Sequence, residues 1–276
     1  MSIKYAYLGP AGTFTEAALQ KIATPSDQLI AYANVTAALD SVRNGECQKA
    51  LVPIENSVEG VVARTLDELA IGQPLVITAE TTLPVSFSLM TLSNTNPAEI
   101  KSIATHPHAE SQCRSFIAKN YPNAQVIESS STAAAAKGLS KGDYDAAIAG
   151  SNAAKNYGLK VIAENIGDNT GAITRFVLVE KPGNQPKATG KDRTSLAVFI
   201  ALDHAGALLE ILNEFAKHQV NLTFIQSRPT GSQLGHYHFI IDAEGHIEDK
   251  PISAALAGLK EICEDIRFLG SYPQAK

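Results

Sequence analysis

The feature that most constrains the fold is an alternation. Short apolar runs of strand length are each followed by an amphipathic, often Ala-rich stretch, through the first two thirds of a 276-residue chain. A parallel or mixed sheet with helices on its faces buries both kinds of segment. IKYAYLG reads as a strand, and TFTEAALQKIA as a helix opened by a capping box in which Glu16 follows Thr13 by three residues. VTAALDSVRNG reads as a helix, KALVPIE as a strand and SVEGVVARTLDELA as a helix, while LVITAETTLPVSFSLMTL is long enough for two strands or one that crosses between lobes. A second round follows: KSIATH strand, AESQCRSFIAKNY helix, AQVIES strand, STAAAAKGLSKG helix, YDAAIAG strand. The rounds echo each other, since Thr36-Ala37-Ala38 leads to Gly45-Glu46 and Ala50-Leu51-Val52, and Thr132-Ala133-Ala134 leads to Gly142-Asp143 and Ala147-Ile148-Ala149. Two similar lobes would place the natural ligand site in the cleft between them.

KPGNQPKATGKDRTS, Lys181 to Ser195, has two prolines, two glycines and no apolar periodicity, and reads as an interdomain linker. After it come strand SLAVFIALD, helix GALLEILNEFAKHQ, strands NLTFIQSRP and HYHFIIDAEG, helix SAALAGLKEICED and strand IRFLGSY. That order, βαββαβ, is the ferredoxin-like pattern. The expected division is residues 1–182, a linker over 183–193 and a second domain over 194–276.

Composition narrows the partners. With 45% hydrophobic and 18% charged residues the chain reads as a globular protein. Its 23 Lys plus Arg against 28 Asp plus Glu, with no basic run, argue against nucleic acid. Cys47, Cys113 and Cys263 lack CxxC spacing, so neither a disulfide framework nor a zinc site is indicated, and a reducing cytoplasm suits them. The N-terminus runs into a strand pattern without a leader, and the longest uncharged stretch, Thr81 to Ala98, is too rich in Ser, Thr, Asn and Pro for a membrane span.

Three loops put Ser, Thr or Asn where a strand gives way to a helix: LGPAGTFTE, PIENSVEG and ESSSTAAAA. Each could be an ordinary N-cap, but three of them in a two-lobed chain, with Arg175 to help, point to an anionic small molecule. GPAG has the spacing of neither dinucleotide nor P-loop motifs. Two histidines in THPHAESQC lack a carboxylate-rich partner motif, so a substrate contact or a solvated loop is a better reading than a metal. GDNTGAITRFVLVEK sets a hydroxyl and a cation, Thr174 and Arg175, at the mouth of an apolar strand. A chain entering a buried strand has no packing reason to place them there.

LGPAGTFTEAA, VPIENSVEG, THPHAESQC, STAAAA and ITRFVLV, in that order and spacing, resemble the catalytic domain of prephenate dehydratase. The GALLEIL helix start and the QSRP turn resemble the ACT regulatory domain attached to it. The resemblance covers nearly the whole chain. It implies an α/β fold: a two-lobed catalytic domain like the type II periplasmic binding proteins, then a ferredoxin-like ACT domain that binds phenylalanine. It implies decarboxylating dehydration of prephenate to phenylpyruvate without a cofactor, by a homodimer or homotetramer with L-phenylalanine as effector; the early strand at Ile3 and the short linker are expected to leave no room for a chorismate mutase segment.

Residue by residue, the resemblance makes Thr174 catalytic, near the leaving hydroxyl. Arg175 faces a carboxylate or pairs with Asp168 or Glu55. Gln112 matches the family's active-site glutamine and Thr105 keeps its motif's hydroxyl. Beside the resemblance, the helix N-termini at Thr13 and Thr132 and the Asn56-Ser57 amides are expected to hold the side-chain carboxylate, Glu55 to be a site wall, and Phe176 either to line the ring pocket or to begin the core. Gly206, Ala207, Leu208, Gln226, Ser227, Arg228 and Pro229 form the effector site. The family's Ser-His-Pro-Gln is Thr105-His106-Pro107-His108 here, so an imidazole replaces an amide and brings a pH dependence. Its Glu-Ser-Arg-Pro is Gln226-Ser227-Arg228-Pro229, one charge fewer, and its Pro-Gly-Ala-Leu is Ala205-Gly206-Ala207-Leu208. Arogenate dehydratase shares most of these motifs, and a sensor with the same cleft and an ACT domain is the non-enzymatic alternative.

Overall fold

Side-chain alternation along a strand sends neighbouring residues to opposite faces, so a strand that is apolar at every position must be covered on both. The structure, a computed structural model describing residues 2–200, 204–230 and 237–275, realises this three times. In chain order it contains β1 (Lys4–Leu8), α1 (Phe14–Leu19), β2 (Gln28–Tyr32), α2 (Val35–Arg43), β3 (Lys49–Asn56), a two-residue β4 (Gly60–Val61), α3 (Ala63–Ile71) and β5 (Val76–Pro84). Then come β6 (Ser88–Thr91), β7 (Ser102–Thr105), α4 (Pro107–Gln112), α5 (Arg114–Asn120), β8 (Gln125–Glu128), α6 (Thr132–Leu139), β9 (Ala146–Ala149), α7 (Ser151–Tyr157), β10 (Lys160–Ala163) and β11 (Ile173–Glu180). The last six elements are β12 (Asp192–Ile200), α8 (Ala207–Lys217), β13 (Leu222–Pro229), β14 (Tyr237–Glu244), α9 (Lys250–Ile262) and β15 (Cys263–Pro273).

The strands form three sheets, ordered β2-β1-β3-β11-β5 with β4 on β3, β10-β6-β9-β7-β8, and β13-β14-β12-β15. The first two are α/β lobes, and the third has the βαββαβ order and strand arrangement of a ferredoxin-like domain. By compactness the chain forms two units, one of Met1–Ala38, Leu51–Val61 and Thr82–Phe176, the other of Leu39–Ala50, Val62–Thr81 and Val177–Lys276.

In the first unit, alternation divides the second sheet's side chains cleanly. Leu89, Ile103, Ala146 and Ile148 join Phe87, Ala109, Cys113 and Ile117 in one cluster. Met90, Ala104, Ala147 and Ala149 join Ala135, Ala136, Leu139, Ala153 and Ala154 in another. The alanines let helices α6 and α7 approach the sheet closely, which is why that stretch of sequence is Ala-rich. The two echoing segments also match: α2 leads to β3 through Gly45 and α6 to β9 through Gly142, at φ of 79° and 83°.

In the second unit, Leu196, Val198, Phe239, Ile241 and Ala243 pack against Ile211 and Phe215 of α8 and Ile252, Ala255 and Leu259 of α9. The opposite face of that sheet carries Ala197, His238, Ile240 and Asp242, all at most 1% exposed. It is covered by residues 62–81 of the same unit. Arg228 of β13 makes two hydrogen bonds to Asp67 of α3, at 2.8 and 2.7 Å. Arg193 of β12 bonds Glu80 of β5 at 2.7 Å, and Arg267 of β15 bonds the Gly72 carbonyl at 2.6 Å. Gly270, at φ 145°, lies so close to Ile77 that an added Cβ would be 2.2 Å from the Ile77 carbonyl oxygen.

Some expectations differ from the structure for identifiable reasons. SVEGVV is a hairpin turn plus β4, and the helix begins only at Ala63. AESQCRSFIAKNY is two helices, because the Asp168 N–H takes the Gln112 carbonyl and the Ser115 N–H is drawn to the Asp168 carboxylate, interrupting the ladder at Cys113. LVITAETTLPVSFSLMTL resolves as β5 and β6, while β2, α7 and β10 were not anticipated. Residues 201–203 of SLAVFIALD and His236 of HYHFIIDAEG lie outside the described residues.

Gly142 and Gly270 separate two costs of a positive-φ glycine. An alanine Cβ at Gly142 meets nothing within 4 Å, so Gly142→Ala should cost about 1–2 kcal/mol from backbone conformation alone. Gly270→Ala adds a backbone clash, and its thermal midpoint should fall well below that of Gly142→Ala; equal midpoints would show that the approach to Ile77 is loose.

Candidate active site

Asn56 ends β3 and begins the hairpin to β4. Its side-chain Oδ1 accepts the N–H groups of Val58 and Glu59 at 2.8 and 2.9 Å, closing an Asx turn. With Oδ1 engaged, the amide nitrogen is directed outward, and it donates to Thr174 Oγ1 on β11 at 2.8 Å. Thr174 is thereby an acceptor from Asn56, and its own hydroxyl hydrogen remains for another partner. Successive residues of β11 and β3 face opposite ways, so Arg175 and Glu55 meet on the other side, with Nε 3.4 Å from Oε2. The pair of polar residues at the mouth of β11 is thus split: the hydroxyl goes to the cleft and the cation to Glu55.

The cleft around Thr174 has a volume of about 300 Å³. Leu8, Phe14, Val85 and Phe87 make its apolar wall, with the rings of Phe14 and Phe87 edge to face at 5.7 Å. Phe14 is held in place by its helix: Glu16 accepts from the Gly12 N–H at 2.6 Å, from the Tyr7 hydroxyl at 3.2 Å and from the Asn156 amide at 2.8 Å. Burial and the neighbouring Glu16 charge push the Tyr7 hydroxyl pKa up. Half of the expected capping box forms, with Thr13 Oγ1 accepting from the Glu16 N–H, while the Glu16 side chain reaches Gly12 and α7.

The polar wall comprises Asn56, His106, His108, Gln112, Thr174 and the start of α6, Ser130 to Thr132. Ser131 is the N-cap of α6, its Oγ accepting the Ala134 N–H at 2.9 Å. Gln112 is 8% exposed and donates to Glu59 Oε1 at 2.7 Å. The other oxygen of Glu59 lies 3.6 Å from Nδ1 of His108. Glu59 was missed from sequence; the signal was there, a carboxylate three residues after Asn56 in a turn closed by Gly60. Phe14, Phe87, Ser130 and Ser131 were missed as cleft residues too.

Of the residues expected at the site, Asn56, Gln112, Thr132 and Thr174 line this cleft. The others lie elsewhere. Thr13 donates to the Leu8 carbonyl as it caps α1. Ser57 Oγ accepts the Ile173 N–H and its own N–H returns to the Ile173 carbonyl, which clamps the hairpin to β11. Thr105, fully buried, donates to the Ile148 carbonyl. Phe176 is 1% exposed in the core. Burial, with Asp168 nearby, pushes the Cys113 thiol up to about 12, so it offers no thiolate.

Among the expected effector residues, Gly206 caps α8 at φ 102°, and Ala207 and Leu208 open that helix. Gln226, Ser227, Arg228 and Pro229 end β13, where Gln226 donates to the Ser227 carbonyl and Arg228 is committed to Asp67. Among the described residues no His, Cys, Asp and Glu cluster fits a metal ion, and no helix is long and apolar enough to cross a membrane.

Comparison with known proteins gives consistent matches. A family model for prephenate dehydratase matches residues 5–184, and one for the ACT domain matches residues 194–261. The prephenate dehydratase of Amycolatopsis methanolica is 45% identical over 273 residues, covering 99% of this chain and 89% of its own. The crystal structure of the Arthrobacter aurescens prephenate dehydratase in complex with L-Phe is 49% identical, with a TM-score of 0.92 over 98% of this chain and 90% of that one. A quorum-quenching acylase, GqqA, is 27% identical, with a TM-score of 0.87 over 98% of both chains.

One histidine can be assigned its protonation state from this geometry. His106 caps α4 by accepting the His108 N–H at Nδ1, 3.3 Å away, which requires a neutral ring with its proton on Nε2. Burial first, and then the neighbouring His108, hold its pKa below the ordinary ~6.5. The unfolded chain therefore takes up that proton first as pH falls, so this group should lower stability from about pH 6.5 down to the depressed value and add no further loss below it. A ring-proton NMR titration should find depressed midpoints for His106 and for the fully buried His238, and His106→Asn should remove the first and leave the second.

Proposed function

The chain belongs to the prephenate dehydratase family, and we propose that Thr174 donates a hydrogen bond to the leaving hydroxyl of prephenate in the cleft described above, or relays to it the proton that the reaction takes from solvent, and so ends the step as a neutral hydroxyl. The observation that carries this is the Asn56–Thr174 hydrogen bond. It fixes the hydroxyl oxygen and orients its hydrogen toward an acceptor in the cleft.

The reaction converts prephenate dianion and one proton into phenylpyruvate, carbon dioxide and water. The C–O bond to the ring breaks as the ring carboxylate leaves, and its electrons complete the aromatic ring. Little beyond a proton for the departing oxygen is needed. A hydrogen bond that strengthens as the oxygen gains charge acts on the transition state more than on the ground state. The apolar wall of Leu8, Phe14, Val85 and Phe87 suits the ring and leaves the ring carboxylate poorly paired, which favours its loss. The start of α6, with its outward N–H groups, suits the side-chain carboxylate.

Residues 1–182 are then the catalytic part and 194–276 the regulatory part, joined by 183–193. The L-Phe complex of the Arthrobacter relative supports L-phenylalanine as effector here, and the family motifs at the α8 start and the end of β13 are where we place it. The family resemblance suits a homodimer or a dimer of dimers, and Leu208 and Leu209, adjacent on α8, are exposed apolar residues that a second copy of this chain could cover. A cytoplasmic location agrees with three free cysteines.

Purified protein should form phenylpyruvate from prephenate with uptake of one proton, and Thr174→Ala should lose about 10²–10⁴-fold in kcat. Asn56→Ala should lose part of that, through the misdirected hydroxyl. Turnover of arogenate in preference to prephenate would change the substrate. An inert, well-folded parent that still binds phenylalanine would make the protein a sensor. L-Phenylalanine should alter the rate, and Gln226→Glu should change the concentration required; identical responses would make position 226 silent.

A further inference from the structure

A dianion must be held in a cleft whose described lining contains neither lysine nor arginine. The nearest guanidinium in sequence, Arg175, faces Glu55 on the opposite side of its strand. Formal positive charge in the lining can therefore come only from His106 and His108. Their rings stand edge to face with centroids 4.8 Å apart, too close for both to be protonated without mutual cost. His106 is committed to the neutral state as the cap of α4. His108 is exposed at the mouth and has a carboxylate beside it, Glu59 Oε2 at 3.6 Å. That carboxylate is not adrift, because Gln112 holds its other oxygen and Asn56 holds its backbone N–H.

We propose that His108 in its imidazolium form is the cation that receives a substrate carboxylate, and that Glu59 is the positioning residue that holds its ring at the cleft. The identity of the ligand rests on the dehydratase reading above; the charge argument needs only an anion.

The groups that face His108 are Glu59 from the β3–β4 turn and His106 from the start of its own helix, while Glu59 and Glu128 of β8 both act on His106. As pH rises through neutrality an imidazolium loses its charge. Glu59 is then left as an uncompensated carboxylate beside the bound anion. Both changes weaken binding, so affinity for the substrate should fall with rising pH while the substrate's own charge stays constant.

The test measures prephenate KM and kcat from pH 6 to 9, and phenylpyruvate binding by calorimetry, in the parent, His108→Gln, His108→Lys and Glu59→Gln. The parent KM should rise about three- to tenfold across the range, the scale of losing one partly exposed charged contact. His108→Gln should be flat and high, and His108→Lys flat and low, a rescue by charge alone. Glu59→Gln should raise KM at the low end of the range, because the His108 ring loses the carboxylate that holds it at the cleft. A merely structural role would lower kcat at every pH and leave the slope of KM in place. A flat parent profile, or an unchanged slope in His108→Gln, overturns the proposal. Turnover with flat binding would refute this inference alone. Phenylpyruvate binding that weakens with pH, and flattens in His108→Gln without any turnover of prephenate, would uphold it and refute the dehydratase reading.

Discussion

The site depends on one amide. Asn56 has two functional atoms, and the fold uses both: Oδ1 shapes the hairpin through two backbone N–H groups, and Nδ2 fixes the Thr174 hydroxyl. Because the oxygen is consumed by main chain, the orientation of the amide is decided by the turn and cannot flip without orphaning two N–H groups. The same turn places Glu59, which holds Gln112 and stands beside His108. A local turn rule thus orients the Thr174 hydroxyl on β11 and, through Glu59, Gln112 and His108 on α4.

The charge economy of the cleft follows from what the chemistry needs. A guanidinium locked onto the ring carboxylate would stabilise the very group that must depart. The chain instead turns Arg175 to Glu55, lines one wall with Leu8, Phe14, Val85 and Phe87, and gathers its polar groups on the other. Burial of Cys113 and the neutral His106 remove two further candidates for charge or nucleophilicity.

Much of this was legible in the sequence, and the parts that were not share a cause. Strand and helix identity followed from periodicity, and the βαββαβ order from its spacing, because both are set by local pattern and burial. The Thr13 cap was legible for the same reason. The destination of Glu16 was not, since its partners include Asn156 on α7, 140 residues away. The break between α4 and α5 has no proline or glycine to announce it; it is imposed by Asp168 from another segment. At the site, motif order brought Asn56, Gln112, Thr132 and Thr174 to attention. Periodicity cannot say which face of β11 or β3 meets a cleft, and so Glu55, Arg175 and Phe176 could not be separated from Thr174 before the strands were placed.

The close approach of Gly270 to Ile77, with the ion pairs of Arg193 and Arg228 to Glu80 and Asp67, has a consequence for modularity. The ferredoxin-like sheet does not carry a solvent face on that side; α3 and the first half of β5 are its cover. Cutting the chain at the linker would therefore pass through the middle of a compact unit and strip an apolar surface from both fragments. The ACT domain is less a detachable cassette than half of a shared core, and exchanging it among relatives would require residues 62–81 to travel with it.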